Sequence, residues 1–395
     1  MHKGKVRLLK IFIISILLIT GCGKKSVSTI GGKINKADIP NIITEVDYLK
    51  QPTTNWASYR EHRDVKAIFM TGHTLAYKSR FENLLNLIDS TEINAAVIDV
   101  KDDFGEMTYN SFVPMVKEVE ADKNIKDKNF HETMKILSDK DIYPIARIVS
   151  FKDKTAAGKR PDLAVKSKDG SVWRDNKGDA WLNPYNRDSW EYLIQIAEEA
   201  AISGFKEIQF DYVRFPTDGK RELIEYGPAG EELMQDAIAG FLRHARERLA
   251  PYGVLVSADV FGLVTTVEDD MKLGQHLETL ATAVDIISPM VYPSHYALGT
   301  YGVAYPDSDP YTIVKTSMEV AKARIDKIKT DEQKAILRPW LQDFSAPWLR
   351  GQYGSNYTPY GPEQIKAQKK ATYDADLTQW IFWNAGNKYT ENGYE

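Results

Sequence analysis

The sequence holds a single cysteine, Cys22, in 395 residues. This excludes disulfides, thiolate metal sites and a cysteine nucleophile from the rest of the chain. Histidine is also scarce. His2, His62, His73, His131, His244, His276 and His295 are the full set, and no two stand at a ligand spacing such as His-x-His or His-Glu-x-x-His. A zinc-dependent amidase or deacetylase therefore has little support, and no metal or other cofactor is implied. No Gly-x-Ser-x-Gly elbow is present, as a serine hydrolase would need. No glycine-rich phosphate loop follows the first apolar run. There is no solenoid-period repeat and no apolar stretch long enough to remain as a membrane-spanning helix. An excess of basic residues is missing too: 51 Lys and Arg against 55 Asp and Glu give a net charge of −4. Loss of Lys3, Lys5, Arg7 and Lys10 with a leader would remove four positive charges and make it −8. Nucleic acid needs a basic face, so it is not an expected partner.

What remains is ordinary globular material, with 43% hydrophobic, 11% aromatic and 27% charged residues. The first residues are basic and are followed by Ile11-Phe12-Ile13-Ile14-Ser15-Ile16-Leu17-Leu18-Ile19. A charged start and a short apolar core mark a secretion signal. The run ends Ile19-Thr20-Gly21-Cys22, which resembles the bacterial lipoprotein signal. That resemblance implies cleavage after residue 21 and a diacylglycerol on the Cys22 sulfur. The protein would then be held by acyl chains, palmitate among them, at the extracytoplasmic face of the membrane. Residues 22–60 carry Gly, Lys, Ser and Pro with few large apolar side chains, and read as a flexible tether. Residues 61–395 are left for one folded domain, expected to be a monomer.

Within that domain short β-rich runs recur: Val65–Thr71, Ala95–Lys101, Ile142–Ser150, Glu207–Phe215, Val254–Val260, Asp285–Tyr292, Ile336–Leu341 and Thr378–Trp383. Amphipathic stretches lie between them, among them Arg80–Ser90, Phe130–Lys140, Ser189–Ser203, Glu231–Ala250, Asp270–Ala283, Tyr311–Lys329 and Pro362–Ala375. Strands alternating with helices imply parallel pairing through crossovers. Eight such units predict an α/β fold, a single (β/α)8 TIM barrel with extended βα loops. Function in such a barrel sits at the C-terminal strand ends. The polar and aromatic clusters do gather there, as in Asp211-Tyr212-Val213-Arg214 and Pro293-Ser294-His295-Tyr296.

The rim groups are those a carbohydrate site uses: flat rings for sugar faces, and charged or amide groups for hydroxyls. Trp181, Trp340 and Trp383 fall at the rim, where each ring is either packing or platform. Cleavage of a glycosidic bond needs two carboxyl groups astride it. Asp211 interrupts an apolar run, which is costly unless the group is paired or functional. Its partner in the structural alternative is Arg214 or Arg147. Asp259 is a similar intruder on the next strand, and the two are the expected catalytic pair. Strand alternation puts Asp99 and Lys101 on one face, either as an internal ion pair or as sugar ligands. The expected substrate-binding set is Asp99, Lys101, Asp102, Arg147, Trp181, Asn183, Tyr212, Arg214, Tyr292, His295, Trp340, Gln342 and Trp383. The loop Thr155–Pro184 reads equally as a mobile lid or a static Ω-type loop.

The segment Gly204-Phe205-Lys206-Glu207-Ile208-Gln209-Phe210-Asp211-Tyr212-Val213-Arg214-Phe215-Pro216 resembles the fourth-strand signature of bacterial glycoside-hydrolase barrels distantly akin to α-amylases. Val97-Ile98-Asp99-Val100-Lys101-Asp102-Asp103 and Trp181-Leu182-Asn183-Pro184 resemble the same family. The resemblance runs from about Val65 to the end of the chain. It implies a (β/α)8 fold, a catalytic carboxylate at Asp211 and an acid at Asp259, acting on an extracellular or cell-wall polysaccharide or oligosaccharide. α-Amylases carry an arginine two residues before the nucleophile and a glutamate on strand five. Here those places hold Gln209 and Asp259. The alternative is a non-catalytic carbohydrate-binding lipoprotein of the cell envelope on the same scaffold.

Overall fold

The computed structural model describes residues 63–395 apart from 228–231 and 332. The leader, Cys22 and the tether lie outside the described residues. Eight parallel strands form the barrel: β1 (Lys66–Met70), β2 (Ala95–Lys101), β3 (Tyr143–Val149), β4 (Glu207–Asp211), β5 (Leu255–Phe261), β6 (Ile286–Met290), β7 in two pieces (Ile336–Leu337 and Trp340–Gln342) and β8 (Trp380–Trp383). Each pairs with its sequence neighbour. β8 pairs with β1, and β6 meets both pieces of β7, so the ring closes. It is a single TIM barrel, the predicted fold. The break in β7 falls at Arg338-Pro339, where proline has no N–H to give to the ladder.

The main helices are α1 (Lys78–Ser90), α2 (Phe130–Asp139), α3 (Arg187–Ile202), α4 (Met234–Leu249), α5 (Leu277–Ala281), α6 (Pro310–Asp326) and α7 (Pro362–Asp374). Their starts follow local chemistry. Asn186 caps α3 by accepting from the Asp188 N–H. Asp309 caps α6 from in front of Pro310, a residue suited to the first turn. The predicted helix Asp270–Ala283 shrinks to α5. Met271, Lys272 and Gly274 all take positive φ, and Asp269 and Asp270 bond the following backbone N–H groups as turns. That hydrogen bonding competes with a helix.

β2, β3 and β4 are buried along their whole length, as a sheet covered on both sides requires. Alternate residues face inward, and the lumen divides by chemistry. Ala67, Phe69, Val97, Tyr143, Ile145, Trp340 and Ile381 form an apolar cluster. The β4–β6 side is polar. Near the base, Glu207 takes two hydrogen bonds from Arg338 at 2.8 and 2.9 Å, a pair with almost no exposure. Above it Gln209 stands opposite Ser257 in the β4–β5 register and donates to Ser288 Oγ at 3.3 Å, and Ser288 is in turn the register partner of Asp259 on β5.

Candidate active site

β4 ends at Asp211 because Tyr212 turns the chain at φ 47°. A non-glycine residue in that region costs free energy and marks an over-determined position. The turn lets Asp211 Oδ1 accept from the Tyr212 N–H at 2.6 Å, while Oδ2 accepts from Arg147 Nε at 2.9 Å and Nη2 at 2.5 Å. Arg147 Nη1 donates to Asp99 Oδ1 at 2.6 Å, so one buried guanidinium serves two carboxylates. Asp103 stands 3.6 Å from Nη2. The guanidinium also lies 5.5 Å from the Phe69 and Trp383 ring centroids, and those rings stack on each other at 4.1 Å. Arg147 sits directly across the ladder from Gln209.

Asp259, on β5, would be the next rung beside Asp211 in the β4–β5 register. Its Oδ1 accepts from Trp340 Nε1 at 2.7 Å, and its Oδ2 has no partner among the described residues. Burial, followed by repulsion from Asp211, raises its pKa well above the carboxylate range. Burial also raises Asp99, to about 7 against the opposing pull of Arg147.

A cavity of about 200 Å³ opens over this array, lined by Asp103, Arg147, Asp211, Tyr212, Arg214, Phe261, Met290, Tyr292, Trp340 and Trp383. Arg214 lies 4.8–5.0 Å from the ring centroids of Phe261, Trp181 and Tyr212, and burial lowers its pKa to about 10. It stays charged at neutral pH.

Of the expected residues, Asp211, Arg147, Tyr212, Arg214, Tyr292, Trp340 and Trp383 meet at this cavity. Asp99 and Asp259 lie behind its wall. The others are elsewhere. Lys101 was expected beside Asp99, but the ladder slips between them and Lys101 pairs with Ile148 instead of facing inward. Its ammonium is fully buried in an ion pair with Asp153 at 2.8 Å and donates to the Val149 carbonyl at 2.5 Å. Asp102 accepts from the Phe104 and Glu106 N–H groups and pairs with Lys126, which makes it a turn organiser. Trp181 is a buried backing for Arg214, with its N–H on Asp175. Asn183 ties the Tyr185 N–H to the Tyr226 carbonyl. Gln342 is consumed by Ser294, Asp307 and the Phe344 carbonyl. His295 is exposed beside the cavity among Tyr292, Phe344 and Trp348. The Thr155–Pro184 loop buries its own Trp173, Trp181 and Leu182. Sequence reasoning missed Asp103, Phe261, Met290 and the Phe69 stack. Only Asp103 carried a signal, as the last carboxylate of the strand-two cluster.

The chain matches a family model over residues 67–389 and belongs to that family, DUF4015, "Putative glycosyl hydrolase domain". The fold is that of a glycoside-hydrolase-like barrel. A crystal structure of a hypothetical protein from Ruminiclostridium thermocellum is similar at 44% identity, covering 49% of this chain and 97% of that one, with a TM-score of 0.45. The glycoside hydrolase domain of PgaB (BpsB) from Bordetella bronchiseptica is similar in fold at 15% identity, 82% and 95% coverage and a TM-score of 0.55. The catalytic domain of a β-amylase from Paenibacillus polymyxa follows at 12%, 84% and 94%, and 0.50. No curated protein matches the chain.

Proposed function

We propose that the protein is a glycoside hydrolase that cleaves an extracellular or cell-wall polysaccharide, with Asp211 as nucleophile or base and Asp259 as general acid. One observation carries the reading. The Asp211 carboxylate, fixed by Arg147 and by the Tyr212 N–H, lines a cavity walled by Tyr212, Tyr292, Trp340 and Trp383. Asp259 supplies the complement, a carboxyl whose pKa burial raises, with one oxygen unspent. Two neighbouring carboxyls in unlike environments is the arrangement that divides acid from base. Arg147 and Arg214 would hold hydroxyls, and Trp340, Trp383 and Tyr292 would cover the sugar faces.

The leader residues support a lipid-anchored location at Cys22 on the extracytoplasmic face. Incubating the protein with cell-wall and exopolysaccharide glycans and counting new reducing ends tests the activity, with Asp211→Asn as control. The variant should keep its circular dichroism and lose turnover. Unchanged turnover would move the chemistry elsewhere. In the same strain, Cys22→Ser should shift the protein out of the membrane fraction, and retention there would remove the anchor.

A second reading, a binding barrel without turnover, is favoured by the closing of Asp259 behind the Trp340 ring, at 1% exposure. It predicts glycan binding in Asp211→Asn and no reducing ends from the parent.

A further inference from the structure

The cavity, at about 200 Å³, falls below the roughly 300–1,000 Å³ of a pocket that engulfs a drug-sized ligand. It has room for little more than the ring at the point of cleavage, so the rest of a polymer must lie on the surface outside. One aromatic track leaves the cavity wall. Tyr292 meets Phe344 edge-on at 5.9 Å, and Phe344 stacks with Trp348 at 6.3 Å and 28°. His295 touches all three, at 5.6 Å from Tyr292 and 6.4 Å from Phe344 and from Trp348. Trp348 is 61% exposed, and no other tryptophan among the described residues shows so much of its ring.

We propose that Trp348 is the platform of an outer subsite that takes an uncharged pyranose unit of a chain, beyond the reach of a two-unit ligand whose other unit occupies the cavity. The proposal rests on the hydrolase reading and extends it to a substrate longer than the cavity. Two features favour a sugar over a protein side chain. The first is continuity: the track begins at Tyr292, which is itself part of the cavity wall, so a glycan leaving the cavity meets Phe344 and Trp348 next. The second is the hydrogen-bond polarity of His295. Ser294 Oγ donates its proton to Gln342 Oε1 at 2.8 Å, so it accepts from His295 Nδ1 at 3.0 Å. That fixes Nε2 as an acceptor on an exposed ring. Packing against Tyr292, Phe344 and Trp348 takes water from part of the His295 ring and lowers its pKa, which favours the neutral form. A flat apolar face beside a neutral acceptor matches the CH face and hydroxyl edge of a pyranose. The platform is stiff as well, because Trp348 sits in the short turn Pro347–Leu349, where proline fixes the backbone.

The test uses the full chain carrying Asp211→Asn, so that ligand is not consumed, titrated with cello-, malto-, xylo- and chito-oligosaccharides of two and six units. In at least one series the six-unit ligand should bind more tightly than the two-unit one. Adding Trp348→Ala should cost the six-unit ligand about tenfold in affinity, as a lost ring contact of roughly 1.4 kcal/mol gives, and leave the two-unit ligand unchanged. Trp348→Phe should restore most of it. Equal binding of both lengths, an unaltered six-unit ligand in Trp348→Ala, or no binding in any series would overturn the subsite. The hydrolase reading is judged apart from this, by the reducing ends that the parent releases.

Discussion

Trp340 reaches Asp259 with its indole N–H at 2.7 Å while its ring forms part of the cavity wall. One side chain therefore both shapes the site and sets the acidity of the carboxyl behind it. The hydrogen bond favours the charged form of Asp259, against burial and the Asp211 charge, which favour the neutral form.

Trp340→Phe keeps a ring and removes that donor. The Asp259 pKa should rise further, so the high-pH limb of the rate profile, where a general acid is lost, should move to higher pH. A limb that stays in place would show that another group delivers the proton.

Asp99 titrates near pH 7 in the folded chain, chiefly through burial, and near 3.9 when unfolded. Between about pH 4 and pH 7 the folded state then holds the extra proton. Stability must fall as pH rises through that window. Urea midpoints at pH 4.5 and 7.5 should show a smaller fall for Asp99→Asn than for the parent. Falls of equal size would mean that Asp99 is not the group responsible.

Lys101 and Asp153 form a fully buried ion pair away from the cavity. Asp153 also caps the short helix Lys154–Lys159 through the Ala156 N–H at 2.7 Å. Lys101→Met strands a buried carboxylate, which costs about 3–5 kcal/mol. The melting temperature should drop sharply, and Asp153→Asn added to it should recover part of the loss. Glycan binding per folded molecule should not change. A loss of binding at intact stability would return Lys101 to the site.

The division between chain and fold is clear in these residues. Periodicity and the clustering of polar groups after each apolar run were local, and from them the closed parallel barrel and the end at which the cavity opens were legible. Asp211 was visible because a carboxylate inside an apolar run needs a reason. The partner of that carboxylate was not visible. Arg147 was one of two arginines the sequence offered, and the β3–β4 register chose it. Lys101 shows the opposite error. Alternation assigned it to the face of Asp99, and a single slipped rung turned it outward to Asp153. Trp181 and Gln342 had the right chemistry, but packing consumed their polar groups behind the wall. Composition and spacing act along the chain, so they determine which elements form and at which ends the polar groups gather. Register, a bulge and the hydrogen bonds of buried groups act across the chain, and only closure of the barrel decided which of those groups face one another.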